Sequence, residues 1–329
     1  MTPRLFLLSL LLCLASIPAF ANDLWLKYPG GKCVGEGKHI VLVSGDEEYR
    51  SEEALPQLAK ILSQHHGFQC TVLFAIDPKT GEINPEQSDN IPGLESLDTA
   101  DLMIIATRFR SLPDDQMKHV VDYVEKGKPI IGMRTATHAF NFKGESAYAH
   151  YGFNYGGQEF EQGFGRQVLG ETWISHHGKH KSESTLGLIE DKSHVIATGI
   201  KDGEIWGPSD VYGVRLPLTG DSHTIVRGQI LSGMSQTDAP VTDERNNPMM
   251  PIAWTRSYKQ GRIFTTTMGA ATDLENAALR RLVLNATLWC VGREDKITPD
   301  LNVSLVGEYK PTAFGFGTFV RGKKPADYQ

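Results

Sequence analysis

Four stretches of mostly apolar residues, 39–45, 70–76, 101–107 and 129–133, punctuate the first half of the chain. Each is the length of a strand, and none alternates apolar with polar, which is the pattern of strands covered on both faces. Between them lie segments with helical spacing. Leu55, Leu58, Ile61 and Leu62 fall on one face of a helix that Ser51 opens and that runs to about His65. Leu112-Pro113-Asp114-Asp115 opens another through Lys126, with acidic residues in its first turn. Strands alternating with helices predict an α/β fold with a doubly wound, mostly parallel sheet. In such a sheet the strand C-termini lie along one edge, where ligands bind. That edge collects Asp46-Glu47-Glu48-Tyr49-Arg50, Arg108-Phe109-Arg110, and Arg134 with His138.

The stretch 128–140 is the centre of this pattern. It reads as a buried strand to Met133, a tight turn at Arg134-Thr135-Ala136, and a short helix starting near Thr137. Gly132 lets the backbone bend, and Thr135 or Thr137 can cap the helix. Arg134 and His138 then either point into a cleft or pack the helix on the sheet. Beyond residue 141 the periodicity stops until about 189, and Gly, aromatic and His residues take over, as expected of an inserted, loop-rich lid. Further strands are expected at 224–231, 250–254 and 262–267. A last helix over 274–291, capped by Asp273, precedes a surface arm over 294–329.

Composition narrows the function classes. The 329 residues are 40% hydrophobic and 22% charged, with a net charge of -6 and no Lys/Arg-rich block, which argues against a nucleic-acid partner. Met1 to Arg4, the apolar run Leu5 to Ile17, and Ala19-Phe20-Ala21 form a signal peptide over residues 1–21, so the protein is expected to be exported, periplasmic or secreted. The apolar run is too short for a membrane span. Residues 22–38 read as a linker and 39–293 as the single domain. Cys33, Cys70 and Cys290 remain, and either one disulfide with a free thiol or three thiols fits them.

Several of these pieces together resemble the ThuA-like (trehalose utilisation) family, which has a class I glutamine amidotransferase-like fold. They are Ile130 to His138, Trp173 to His177, Asp210-x-Tyr212, Pro251-Ile-Ala-Trp254, Gly261 to Gly269, and the closing helix. The opening Ser44-Gly-Asp-Glu-Glu-Tyr-Arg-Ser is similar to exported members found in Planctomycetes-like bacteria. Amidotransferase relatives place a nucleophilic Cys on the turn after this strand. Here the turn is Gly132-Met133-Arg134-Thr135-Ala136, and an arginine cannot attack an amide. Glutaminase activity is therefore excluded.

The resemblance implies action on sugars, in pathways that pass through a 3-keto form. Such a sugar has an acidified proton beside its carbonyl, so cleaving or isomerising it needs a base and a cation near the developing oxyanion. His138, His177 and Glu48 are candidate bases and Arg134 the candidate oxyanion partner. Glu47, Tyr49, Arg108, Trp173, Asp210 and Tyr212 are candidate sugar-binding groups. No cofactor is required, but His176 and His177 are candidate ligands of a divalent metal. His180-Lys181 reads as a solvated basic turn. The alternative reading is a non-catalytic sugar-binding module, or a scaffold subunit for a periplasmic dehydrogenase. The expected partners are a small carbohydrate and, for a scaffold, the dehydrogenase or further copies of the chain.

Overall fold

The computed structural model describes residues 24–329. The signal-peptide reading lies outside the described residues. The described residues form twelve strands: β1 (Trp25–Tyr28), β2 (His39–Gly45), β3 (Gln69–Leu73), β4 (Leu102–Thr107), β5 (Ile130–Met133), β6 (Ser175–His176), β7 (Thr185–Ile189), β8 (Ile205–Gly207), β9 (Tyr212–Gly213), β10 (His223–Ile230), β11 (Met250–Tyr258) and β12 (Gly261–Thr266). The α-helices are α1 (Ser51–Lys60), α2 (Asp114–Glu125) and α3 (Ala277–Cys290).

Ten strands form one sheet in the order β1-β3-β2-β4-β5-β12-β11-β10-β7-β8. Its centre, β3-β2-β4-β5-β12, is parallel throughout, and in chain order this is the flavodoxin-like arrangement 2-1-3-4-5. The outer strands on both sides are antiparallel. Successive residues of the central strands face opposite cores, which explains their unbroken apolar runs. Ile40, Leu42 and Ile104 join the core under α1 and α3, while Val41, Val43 and Ile105 join the one under α2. The sheet is thus covered on both faces, as the doubly wound reading requires.

Details depart from expectation where polar or short segments gave no pattern. β1 lies inside the stretch read as linker and pairs with β3, so residues 25–28 belong to the domain. The inserted region ends before β7, which is part of the main sheet. The turn after β5 is already a 3-10 helix at Arg134, over Arg134–His138, and neither threonine caps it. Asn276, rather than Asp273, caps the last helix, accepting from Leu279 N. Cys33, Cys70 and Cys290 are all free, the latter two buried. Among the described residues, no helix is long and apolar enough to cross a membrane.

Candidate functional site

The parallel strands β2 and β4 leave the sheet on either side of its topological switch point, the place where ligands of such sheets bind. The chain takes an uncommon path at three exits along this edge. Arg50, Phe109 and Arg134, on the segments leaving β2, β4 and β5, have φ of 60°, 49° and 45°. Left-handed backbone at bulky residues costs energy and clusters where geometry serves function.

Arg134 turns back under the sheet edge. It is 1% exposed, and its Nη1 donates to the carbonyls of Asp210 and Thr267, both at 2.7 Å. Its Nη2 donates to the Tyr49 hydroxyl at 2.9 Å and Asp210 Oδ1 at 3.1 Å. The guanidinium lies between the rings of Tyr49 and Tyr212, 4.2 Å and 3.6 Å from their centroids. With every outer nitrogen engaged and no face open, it cannot meet a substrate oxyanion. Arg134 positions Asp210, and Tyr49 and Tyr212 form a buried floor rather than a sugar-binding surface.

Asp210 is the hub above that floor. Its Oδ2 lies 2.7 Å from His176 Nδ1, and its Oδ1 lies 3.1 Å from His180 Nδ1. Burial pushes its carboxyl up, but the hydrogen bonds from His176 and His180 and the Arg134 charge outweigh this and hold it well below the usual carboxylate range. Asp210 stays in place because Asp273 ties down the preceding residue. Asp273 accepts from Ser209 N at 3.1 Å and Ser209 Oγ at 2.6 Å, and from Gly269 and Ala270 N.

His180 continues the chain of contacts outward from the hub. Its Nε2 lies 3.2 Å from Glu48 Oε1, and Glu48 Oε2 is 3.6 Å from Arg108 Nε. Burial raises the Glu48 carboxyl against the opposing pull of Arg108. Asp46 fixes the loop carrying Glu48. Its Oδ1 caps the Glu48 and Tyr49 amides at 2.8 and 3.1 Å, and its Oδ2 accepts from Thr135 Oγ1 at 2.7 Å, coupling the exits of β2 and β5.

The remaining candidates separate into those the fold brings to this edge and those it does not. Glu47 is spent on Arg108 and on Arg110 Nη2, the latter at 2.7 Å, and so is an ion-pair residue. Arg108 keeps some exposure and stacks against Phe109 and Phe316, 4.4 Å and 4.9 Å from the ring centroids. His138 is buried among Phe109, Trp173 and Tyr212. Burial first, then the Arg108, Arg134 and His176 charges, push its pKa far down, so it is a neutral ring in the wall. Trp173 lies across His138 and His176, and its buried indole N–H has no partner among the described residues. His177 faces away, with Nε2 at 2.7 Å from the Arg245 carbonyl. The residue that joins His176 at the hub is His180, which sequence reasoning assigned to a solvated turn. One donor atom each from His176, His180 and Asp210 lie within 4.8 Å of one another, so the residues placed where a metal ion could be held are His176, His180 and Asp210, and His177 is not among them.

The C-terminal arm supplies a further wall that sequence reasoning missed. Phe314 packs on Tyr49 and His180, 5.3 Å and 5.5 Å between centroids. Gly315 N donates to the Glu48 carbonyl at 2.7 Å, and the Gly315 carbonyl accepts from Arg50. Phe316 is left 58% exposed at the rim.

The sequence model of one family, described as ThuA, trehalose utilisation, matches residues 39–290. Among solved structures, the chain is similar to a protein described as ThuA-like from Parabacteroides merdae, at 15% identity and a TM-score of 0.51, covering 85% of this chain and 97% of that one. A second, described as ThuA-like from Bacteroides uniformis, is 14% identical with a TM-score of 0.45, covering 80% of this chain and 96% of that one. No curated protein matches the chain.

Proposed function

Since the chain belongs to the ThuA family, we propose that it is an exported carbohydrate-active enzyme that cleaves or isomerises oxidised, 3-keto glycosides by acid/base chemistry, without glutaminase activity. The observation that carries this reading is the Asp210–His176 pair. The buried carboxylate holds His176 Nδ1 at 2.7 Å while the imidazole side chain stays 37% exposed. A carboxylate on Nδ1 fixes the tautomer with its proton there and leaves Nε2 as an oriented base.

The chemistry follows from that base. His176 Nε2 removes the proton on the carbon beside the keto group, and the electron pair moves onto the carbonyl oxygen. In isomerisation, the enolate takes the proton from the His176 imidazolium on the former carbonyl carbon, while the adjacent hydroxyl passes its proton to the former carbonyl oxygen and becomes the new carbonyl. In cleavage, it re-forms the carbonyl with a double bond to the anomeric carbon and expels the glycosidic oxygen, which takes that proton. Arg108 is the cation on this edge with exposure left, and it takes the oxyanion role that the enclosed Arg134 cannot. Trp173, Phe109 and Phe316 offer ring faces for a sugar. The absence of glutaminase activity is supported by Arg134, which occupies the left-handed turn where amidotransferases need a nucleophile.

An NMR time course of the mature protein with 3-keto-glucosides and their unoxidised parents tests this. Conversion of the keto sugars alone, lost in His176→Ala with the fold intact, is the expected result. Ligand line broadening without conversion would replace the enzyme with a sugar-binding module. Neither conversion nor broadening would leave the scaffold reading.

A further inference from the structure

Hydrogen bonding alone leaves the hub with a charge problem. His180 has a carboxylate on each ring nitrogen, Asp210 Oδ1 at 3.1 Å from Nδ1 and Glu48 Oε1 at 3.2 Å from Nε2. His176 presents its Nδ1 to the other Asp210 oxygen. A neutral imidazole has one N–H, so satisfying both contacts of His180 with protons takes either an imidazolium or a protonated Glu48 carboxyl. A cation between the two Nδ1 atoms and Asp210 resolves this differently. Each ring then offers its Nδ1 lone pair inward, and His180 keeps its single proton on Nε2, facing Glu48.

We propose that His176 Nδ1, His180 Nδ1 and the Asp210 carboxylate form a binding site for one divalent transition-metal ion of the zinc type. Two imidazoles and one carboxylate suit zinc, cobalt or iron in preference to calcium or magnesium. Three protein ligands leave coordination positions open, as in reactive rather than structural zinc sites. The half-exposed His176 marks the side on which those positions face solvent. Two further features are what ligand support looks like. Glu48 takes the far nitrogen of His180, the usual carboxylate behind a metal-bound imidazole. Arg134 grips Asp210 through its carbonyl and Oδ1, leaving Oδ2 on the His176 side. Lys179, which the sequence places beside the histidines as a repelling charge, instead lies 73% exposed with its ammonium 3.6 Å from Glu183.

Occupancy needs only small rotations, because donors on one tetrahedral ion stand about 3.3 Å apart when each bond is roughly 2.0 Å. With the ion bound through Nδ1, His176 keeps its proton on Nε2, so the base role proposed above belongs to the metal-free protein. The metal proposal does not depend on the sugar reading, since binding is measured with no substrate present.

The test is calorimetric titration of the chelator-stripped full chain with Zn²⁺, paired with Co²⁺ absorption spectra. One equivalent should bind, and Co²⁺ should show the visible ligand-field bands of a low-coordinate site. His176→Ala and His180→Ala should each weaken binding at least about 100-fold, and Glu48→Gln should weaken it about 10- to 100-fold. Circular dichroism of His176→Ala, a change at a half-exposed side chain, guards against an unfolded variant. Zn²⁺ affinity unchanged from the parent in either histidine variant, or less than one equivalent bound by the parent, would overturn the site.

Discussion

Replacing Asp210 by Asn probes the centre of the site with one atom changed. Asp210 is 1% exposed and carries the only carboxylate within salt-bridge distance of Arg134 among the described residues. The amide removes the negative charge and turns one acceptor oxygen into a donor, which must then face either Arg134 and His180 or His176. Breaking a buried ion pair from one side costs about 3 to 5 kcal/mol, because the surviving charge has no water to turn to. Arg134 keeps two backbone carbonyls and two tyrosine faces, so the lower end, about 3 kcal/mol, is expected. Urea unfolding measures it. The double variant Arg134→Met with Asp210→Asn should be less destabilised than the two single variants added together. In parallel, nitrogen NMR of His176 should show its proton moving from Nδ1 to Nε2, and turnover of a keto sugar should fall on the order of 10³- to 10⁴-fold. A stability loss below about 1 kcal/mol, with the His176 tautomer unchanged, would refute the assignment of Asp210 as the hub.

Glu52 lies buried beside Arg50, with one oxygen unpartnered among the described residues, and burial outweighs the Arg50 charge to push its pKa from 4.5 up to about 8. An acid raised in the folded state costs stability as pH climbs from 4.5 towards 8, since only the unfolded chain ionises there, and the loss is flat above that. Urea unfolding across this window should show a decline on the order of a few kcal/mol that Glu52→Gln removes; parallel curves would contradict it. Thr135→Val strips Asp46 Oδ2 of the 2.7 Å hydrogen bond it receives and should cost about 1 to 3 kcal/mol in the same assay. Phe314→Ala should detach the arm before the sheet unfolds, read as faster exchange of the Gly315 amide and earlier proteolysis near residue 315. Unchanged protection there would show that the ring does not anchor the arm.

The sheet was legible because burial on both faces writes itself into sequence as unbroken apolar runs, from Ile40 to Val43 and from Leu102 to Ile105. The edge that gathers the polar groups followed from the same runs. The direction of individual side chains did not. His176, His177 and His180 sit on a two-residue strand and an irregular turn, where no period says which ring faces inward, so the pattern does not single out His180 over His177. Arg134 was placed at the right point, but its left-handed backbone, which sends the guanidinium beneath the site, has no sequence mark at a non-glycine residue. The arm carried only a Gly-Phe alternation, and its docking on Tyr49 and Glu48 depends on contacts across more than 260 residues, as between Arg50 and Gly315.

That long-range docking has a consequence for biosynthesis. Everything up to α3 can assemble while the ribosome is still translating, but the wall made by Phe314 and Gly315 cannot. Glu48 and His180, placed early and midway along the chain, acquire their last neighbours only when the closing segment has cleared the exit tunnel. A product cut short before Phe314 would have a complete sheet and an unfinished site, so competence of the site reports that translation has passed Phe314 and Gly315.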